Sequence, residues 1–216
     1  TRRAADLLGA TPMDRPEDIQ PDATTGRAWV MLTNNDRRTK KQIDKANPRA
    51  ENQTGHIIEI IEPNKDFAAT RSRWEILVKC GDPSDESNAS WHVTTTENGW
   101  FGSPDNAVVD EQGRLWVSTD GNQDTGAADG VWMIETNGYA RGKSKAFFRA
   151  PLGAEVSGPQ FSPDFRTLFL AIQHPGDTEG SNFENPATRW PDFDQQLPPR
   201  PSIIAVRRDD NQKIGT

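Results

Sequence analysis

The sequence has almost no cysteine, because Cys80 is the only one in 216 residues. A single cysteine excludes an internal disulfide, and the cysteine and histidine spacing of zinc sites is absent. Long apolar runs are also missing, since no stretch approaches the roughly 18 consecutive apolar residues that a membrane helix needs. The sequence therefore predicts no disulfide scaffold, no zinc module and no membrane span.

Clusters of positive charge are scarce. The net charge is -7, from 25 Lys and Arg against 32 Asp and Glu. The one basic run, residues 37–41, has no aromatic residues within it and is soon followed by Asp44, unlike a groove that binds nucleic acid. We therefore expect no nucleic-acid partner. The acidic balance fits cation binding, and it fits a solvated acidic surface equally well.

Apolar residues and helical periodicity are limited too. Hydrophobic residues make up only 33% of the chain, yet seven Trp and nine Phe are scattered through it. This composition is typical of an all-β fold with many short strands and long polar loops. Short helices are predicted only at residues 3–8 and 39–46. Runs of β-branched and aromatic residues predict strands at residues 27–33, 56–62, 73–80, 114–119, 130–136, 145–150, 167–173 and 202–207.

An internal repeat indicates the architecture. Three copies, at residues 16–33, 104–119 and 158–171, share a short strand, a turn with Asp and usually Gly, and a strand with a large aromatic residue. Such hairpins are typical of the first two strands of a β-propeller blade. Chance similarity among the hairpins of a β-sandwich is the alternative explanation.

The spacing of the copies predicts about three blades. Two further strands follow each of the first two copies, which gives four-stranded blades, whereas the third copy is followed by a Pro-rich segment and a single strand. We interpret residues 1–216 as one partial propeller domain that contains residues 175–201 as a loop insertion. Because a closed propeller needs about four blades or more, we expect a missing N-terminal half or another chain to complete the ring.

Acidic residues recur where the repeat predicts the central channel. Glu17 and Asp105 occupy the same repeat position on the innermost strands, and Glu155 lies just before the matching strand of the third copy. Carboxylates brought together repel unless cations neutralise them, and hard oxygen ligands favour calcium, magnesium or ferric iron. Asn106 and Asp120 are candidates for further oxygen ligands. The alternative is that these are ordinary turn and strand-end residues.

Two basic side chains are candidates for work at such a site. Arg15 directly precedes Pro16 and Glu17, and its planar guanidinium suits a phosphate oxyanion. A local ion pair with Asp14 is the simpler alternative for Arg15. His174 follows an apolar strand, where it could be a ligand, a proton donor or a structural residue.

The order of several short motifs resembles the PhoX-type alkaline phosphatases, a bacterial β-propeller family, between Met13 and about Gly176. The motifs are Met13-Asp14-Arg15-Pro16-Glu17-Asp18, Leu32-Thr33-Asn34-Asn35, Ala46-Asn47-Pro48-Arg49-Ala50, Gly55-His56-Ile57-Ile58-Glu59, Ser103-Pro104-Asp105-Asn106, Gly113-Arg114-Leu115-Trp116, Glu155-Val156-Ser157-Gly158-Pro159 and Gln173-His174-Pro175-Gly176.

This resemblance implies a six-bladed propeller around a site of calcium and iron, in a periplasmic or secreted enzyme that hydrolyses phosphomonoesters. It implies that Glu17 and Asp105 are metal ligands, that Glu155 is a further candidate ligand, and that Arg15 binds the phosphate. The metal ions would polarise the phosphoryl group.

One departure from the family pattern limits what the resemblance implies. The family places a thiolate iron ligand in an N-terminal half that this sequence lacks, and Cys80 does not match its context. The chain therefore resembles the C-terminal portion, and we expect it to have little activity and no bound iron on its own. A calcium-dependent lactonase-like propeller hydrolase and a non-catalytic binding or scaffold propeller are the alternative functions.

Overall fold

The computed structural model describes residues 2–84 and 88–216, and these residues are mostly β-structure. One short helix, α1 (Arg2–Leu8), precedes the strands, and no helix of the described residues is long and apolar enough to cross a membrane. The strands are β1 (Pro16–Asp22), β2 (Arg27–Leu32), β3 (His56–Ile61), β4 (Arg73–Lys79), β5 (Pro104–Val109), β6 (Leu115–Thr119), β7 (Gly130–Ile134), β8 (Ser144–Arg149), β9 (Glu155–Phe161), β10 (Thr167–Gln173) and β11 (Ser202–Arg207).

The strands form three antiparallel sheets that follow one another along the chain. Their strand orders are β1-β2-β3-β4, β5-β6-β7-β8 and β9-β10-β11. The first strand of each sheet contacts the first strand of the next, β1 with β5 and β5 with β9. The sheets are therefore consecutive blades of a β-propeller with β1, β5 and β9 innermost, as the repeat predicts. The third blade has three strands in place of four.

Apolar side chains fill the space between neighbouring blades. Successive residues of β6 point to opposite faces of the second sheet, so Leu115 and Val117 pack toward the first blade while Trp116 packs toward the third. Trp29 of the first blade and Trp132 of the second are fully buried in one shared cluster. The second blade is thus covered on both faces, which explains the continuous apolar runs in its middle strands β6 and β7.

Each innermost strand contains an irregularity at a matching position. The pairing register shifts between Pro16 and Asp18 in β1, and between Pro104 and Ala107 in β5. A similar shift occurs where β9 pairs with β10. A β-bulge inserts an extra residue and redirects its side chain. The acidic repeat positions, Glu17 and Asp105, lie within these bulges.

The long loop between β2 and β3 covers the outer face of the first blade. Its Ala46 packs with Leu32 and Ile58. The helix predicted at residues 39–46 is wrong, because only Lys40–Gln42 form a single 3₁₀ turn. The Asp44 carboxylate accepts hydrogen bonds from the backbone N–H groups of Ala46 and Asn47, which turns the chain out of a helical path.

Gly55 closes this loop at a point where no other residue fits. Its φ is +74°, and a Cβ atom there would lie 2.2 Å from the carbonyl oxygen of Thr33. Only glycine combines a left-handed φ with such a close backbone approach. The approach joins the end of β2 to the start of β3, just beside the innermost strand of the second blade.

The segment between β10 and β11 contains no strand or helix among its described residues. Arg189 organises part of it by donating hydrogen bonds to the carbonyl oxygens of Phe183 and Leu197. Trp190 packs against the apolar cluster between the second and third blades. The segment is therefore irregular in backbone but attached to the blade.

Candidate functional site

Arg15 lies between two carboxylates at the start of the first blade. Its Nε donates a hydrogen bond to Glu17, and its Nη2 lies 3.2 Å from Oδ2 of Asp120, which follows β6 in the second blade. About half of the Arg15 side chain is exposed. Its pKa is raised, because the bonds and charges of Glu17 and Asp120 outweigh the opposing effect of burial. Asp14, the simpler partner considered from the sequence, points elsewhere and binds Arg38.

Asp105 is the most perturbed of the acidic residues near Arg15. Its side chain is buried, and its pKa is raised to about 7, first by burial and then by the negative charges of Glu155, Glu17 and Asp120. A carboxyl group with such a pKa needs either a proton or a nearby cation at neutral pH. The blades therefore bring four carboxylates close enough to affect one another electrostatically, namely those of Glu17, Asp105, Asp120 and Glu155.

Glu155 is contributed by the third blade. It is the first residue of β9, where it pairs with Gln173, and does not precede the strand as the sequence suggested. Its carboxylate accepts a hydrogen bond of 2.6 Å from Nε2 of Gln173 and lies 3.1 Å from Nε2 of His174. Its pKa is raised by burial and then by the charge of Asp120, against the lowering effect of His174.

Asp120 is placed by a tight turn that depends on Asp129. The buried Asp129 carboxylate accepts hydrogen bonds from the Thr119 hydroxyl at 2.5 Å and from the Asn122 backbone N–H at 2.8 Å. The backbone N–H of Asp120 donates to the carbonyl oxygen of Ser103, beside β5. Sequence reasoning missed Asp129; its position directly before the strand that begins at Gly130 was the available signal.

Asn106 and Asp18 connect neighbouring blades. Oδ2 of Asp18 accepts a hydrogen bond of 2.9 Å from the backbone N–H of Ala107 in the second blade. In the same way, Oδ1 of Asn106 accepts a bond of 2.9 Å from the backbone N–H of Gly158 in the third blade. These oxygens follow the acidic bulge residues Glu17 and Asp105 directly, so the contacts fix the bulges relative to the next blade.

The chemistry of the donors fits a hard cation, but the set is incomplete. Carboxylate oxygens are the ligands that calcium prefers, and their mutual repulsion at Asp105 is what a cation would relieve. Among the side chains that the structure describes, however, no three from His, Cys, Asp or Glu approach closely enough to hold a metal ion together. Cys80 is fully buried between the first two blades, and burial raises its pKa to about 12, which disfavours a thiolate ligand there.

Comparisons with known proteins identify the family that this chain resembles. The family described as alkaline phosphatase PhoX matches residues 1–176. A solved structure of Pseudomonas fluorescens PhoX in complex with vanadate, a transition state analogue, matches with a TM-score of 0.85 and 33% sequence identity. The match covers 99% of this chain and 37% of that chain, so this chain spans little more than a third of that protein's length. No curated protein matches the sequence.

Proposed function

The chain belongs to the PhoX alkaline phosphatase family, and from this premise we propose that it forms part of a metal-dependent enzyme that hydrolyses phosphomonoesters. Arg15 is the proposed phosphate-binding residue. Glu17 and Asp105 are the proposed metal ligands, and Glu155, Asp120 and Asn106 are proposed as further oxygen donors. We also propose the periplasmic or extracellular location that the family resemblance implies.

The observation that carries this proposal is the position of Arg15 beside a group of crowded carboxylates. Its guanidinium is half exposed and bonded to Glu17 and Asp120, close to the buried Asp105. The planar, charged guanidinium of arginine can bind phosphate through two parallel hydrogen bonds. Bound cations would be coordinated by the oxygens of the neighbouring carboxylates. The phosphate-binding and cation-binding side chains therefore lie side by side near the start of the innermost strands.

Bound calcium, with iron as the second metal that the resemblance implies, would supply positive charge that polarises the phosphoryl oxygens. The residues of this chain have their own tasks. Arg15 binds and orients the phosphoryl oxygens, using donors that Glu17 and Asp120 now occupy. Asp105 must lose its proton before it can bind a cation.

The donor set is proposed to be completed by parts of the enzyme outside this chain. The incomplete group of ligands within the described residues and the 37% coverage of the solved relative both support this division. We accordingly propose that the chain alone has little phosphatase activity, and that an N-terminal half or another chain closes the propeller.

Hydrolysis assays on the full-length protein test this proposal. We expect hydrolysis of p-nitrophenyl phosphate, no hydrolysis of an aryl lactone, and stoichiometric calcium by elemental analysis. Lactone hydrolysis without phosphatase activity would favour the lactonase-like alternative. Absence of both activities and of bound metal would favour a binding or scaffold propeller. Either result would overturn the proposal.

A further inference from the structure

We propose that Asp14 is a positioning residue that fixes Arg15 for phosphate binding, an inference that rests on the proposed function. Asp14 is fully buried and directly precedes Arg15 in the chain. Its side chain points away from the channel into a polar network beneath the loop between β2 and β3. Its effect on phosphate would therefore pass through the backbone of Arg15.

The carboxylate of Asp14 is held from two sides. Nε of Arg38 donates to Oδ1, and Nδ2 of Asn52 donates to Oδ2 at 2.9 Å. Arg38 is itself fixed, because its two terminal nitrogens each donate a bond of 2.7 Å to the carbonyl oxygens of Gln42 and Pro12. Asp14 is thus anchored to the loop on one side and to the chain just before it on the other.

His56, the first residue of β3, extends the network to the blade. Its Nε2 lies 2.7 Å from the carbonyl oxygen of Ala46, which can only accept, so Nε2 carries the proton. Nδ1 then accepts from Nδ2 of Asn52 at 3.2 Å. The fully buried His56 therefore fixes Asn52, and Asn52 fixes Asp14.

The backbone of Arg15 is held both by its attachment to Asp14 and by hydrogen bonds of its own. Its N–H donates to the carbonyl oxygen of Asn34 at 3.0 Å, and its own carbonyl oxygen accepts from the N–H of Thr33 at 2.9 Å. With Asp14 fixed on its N-terminal side and both of its own backbone groups bonded, the Cα of Arg15 has little freedom. Because the backbone is held, only the side-chain torsions of Arg15 can change the position of its guanidinium.

The second blade shows which parts of this arrangement the fold requires. There Gly102 and Ser103 occupy the places of Asp14 and Arg15. The backbone N–H of Gly102 donates to Oδ1 of Asn122 at 2.7 Å, just as that of Asp14 donates to Oδ1 of Asn47 at 2.8 Å.

The hydrogen bond accepted by the Arg15 carbonyl oxygen also has an equivalent in the second blade. The N–H of Asp120 donates to the carbonyl oxygen of Ser103, as the N–H of Thr33 does to that of Arg15. The backbone contacts are therefore common to both blades, whereas the carboxylate is added only where an arginine follows. The second blade forms without a carboxylate at this position. The Asp14 carboxylate of the first blade therefore has a role other than forming the blade.

Energetics point the same way. Burying an ion pair such as Asp14 with Arg38 costs much of what the attraction returns, so it adds little net stability compared with apolar packing. Such pairs can instead define a single geometry. At Asp14 the geometry that is defined is the entry of the chain into β1 at Arg15.

A double-mutant cycle in the full-length protein tests the inference. Asp14→Asn should raise the KM for p-nitrophenyl phosphate and the inhibition constant of inorganic phosphate about tenfold, with kcat changed much less, because binding of the phosphate is lost uniformly. In an Arg15→Ala background, Asp14→Asn should have no further effect on either constant.

The matched control is Asp110→Asn, which disrupts another buried ion pair, with Arg114, in the β5–β6 turn of the second blade. It should lower the melting temperature and leave KM unchanged. If Asp14→Asn does not fold, Asn52→Ser removes one bond to Asp14 and should raise KM in the same direction. An unchanged KM in the Asp14 or Asn52 variant, or an equal effect of Asp14→Asn with and without Arg15, would overturn the inference.

The cycle also separates this inference from the proposed function. Phosphatase activity that depends on Arg15 but not on Asp14 would leave the proposed function standing and overturn only the inference. Activity that does not depend on Arg15 would overturn the proposed role of Arg15 and the inference with it.

Discussion

Arg15 at the start of the first blade donates a hydrogen bond of 3.2 Å to Asp120, which follows the second strand of the second blade. The two residues are separated by 105 positions in the sequence and meet only because the blades stand side by side. This pairing places the positively charged guanidinium of Arg15, a group that suits phosphate, among carboxylates that would otherwise repel one another.

The raised pKa of Asp105 predicts how stability depends on pH when metal is removed. The folded chain holds a proton on Asp105 up to about pH 7, whereas the unfolded chain releases it near the ordinary value of 3.8. Because Asp105 binds more protons in the folded state between these values, the contribution of Asp105 to stability should fall as pH rises from about 4 to 7. Urea unfolding in the presence of EDTA at several pH values measures this slope.

Asp105→Asn is the matching variant for that measurement. It removes the buried charge and should make the metal-free chain about 1–2 kcal/mol more stable at pH 8, after allowance for solvent screening. At pH 4 the variant and the parent should have similar stability. A parent chain whose stability rises between pH 4 and 7 more steeply than that of the variant would contradict the assignment.

Calcium binding should show the opposite dependence on pH. A cation needs Asp105 ionised, so affinity in the full-length protein should weaken as pH falls below about 7, and binding near pH 7 should release protons. Calorimetry in two buffers of different ionisation enthalpy measures the proton release. Glu17→Gln should weaken calcium binding at every pH, while Glu111→Gln, at an exposed turn, should not. Binding independent of pH between 6 and 8 would exclude Asp105 as a ligand.

The cross-blade bond from Gly158 to Asn106 should contribute measurably to stability. Asn106→Ala removes this bond, and because the exposed Gly158 N–H can then bond to water, the substitution should cost about 0.5–1 kcal/mol in the free energy of unfolding. Gln112→Ala, at an exposed turn of the same blade, is the control and should change it by less than about 0.5 kcal/mol. Equal effects of the two substitutions in denaturant unfolding would show that the bond is not important.

Alanine substitutions at Gly55 and Gly138 distinguish the cost of a strained φ from the cost of a steric overlap. Both have positive φ, but a Cβ at Gly138 meets no atom within 4 Å, whereas one at Gly55 would overlap the backbone of β2. Gly138→Ala should therefore cost only the strained φ, about 1 kcal/mol, and Gly55→Ala considerably more. Thermal melting of the two variants measures the difference. A smaller shift for Gly55→Ala would show that the close approach is not needed.

The sequence predicts the fold well because the repeat carries it. Nearly every predicted strand lies within one or two residues of the observed one, and β11 coincides with residues 202–207. The exception is the predicted helix at 39–46, where the polar contacts of Asp44 override a weak helical propensity. Local propensity fails there because side chain to backbone bonds compete with the helix.

The details of the candidate site were harder to predict. The repeat matched Glu17 with Asp105, but it could not show that both lie in β-bulges, since a register shift depends on the partner strand. The pairing of Arg15 with Asp120, and the use of Asn106 to bind the next blade, depend on contacts between distant segments. A sequence read without an alignment contains no direct signal for such contacts.

The proposed phosphate site depends on Arg15, and steady-state hydrolysis of p-nitrophenyl phosphate by the full-length protein measures what Arg15 contributes. Arg15→Ala should lower kcat/KM at least a hundredfold, and Arg15→Lys should recover only part of it, because lysine keeps the charge but loses the planar donor pair. Both variants should keep their calcium and their melting temperature. Wild-type kcat/KM in a folded, metal-loaded Arg15→Ala protein would contradict the account.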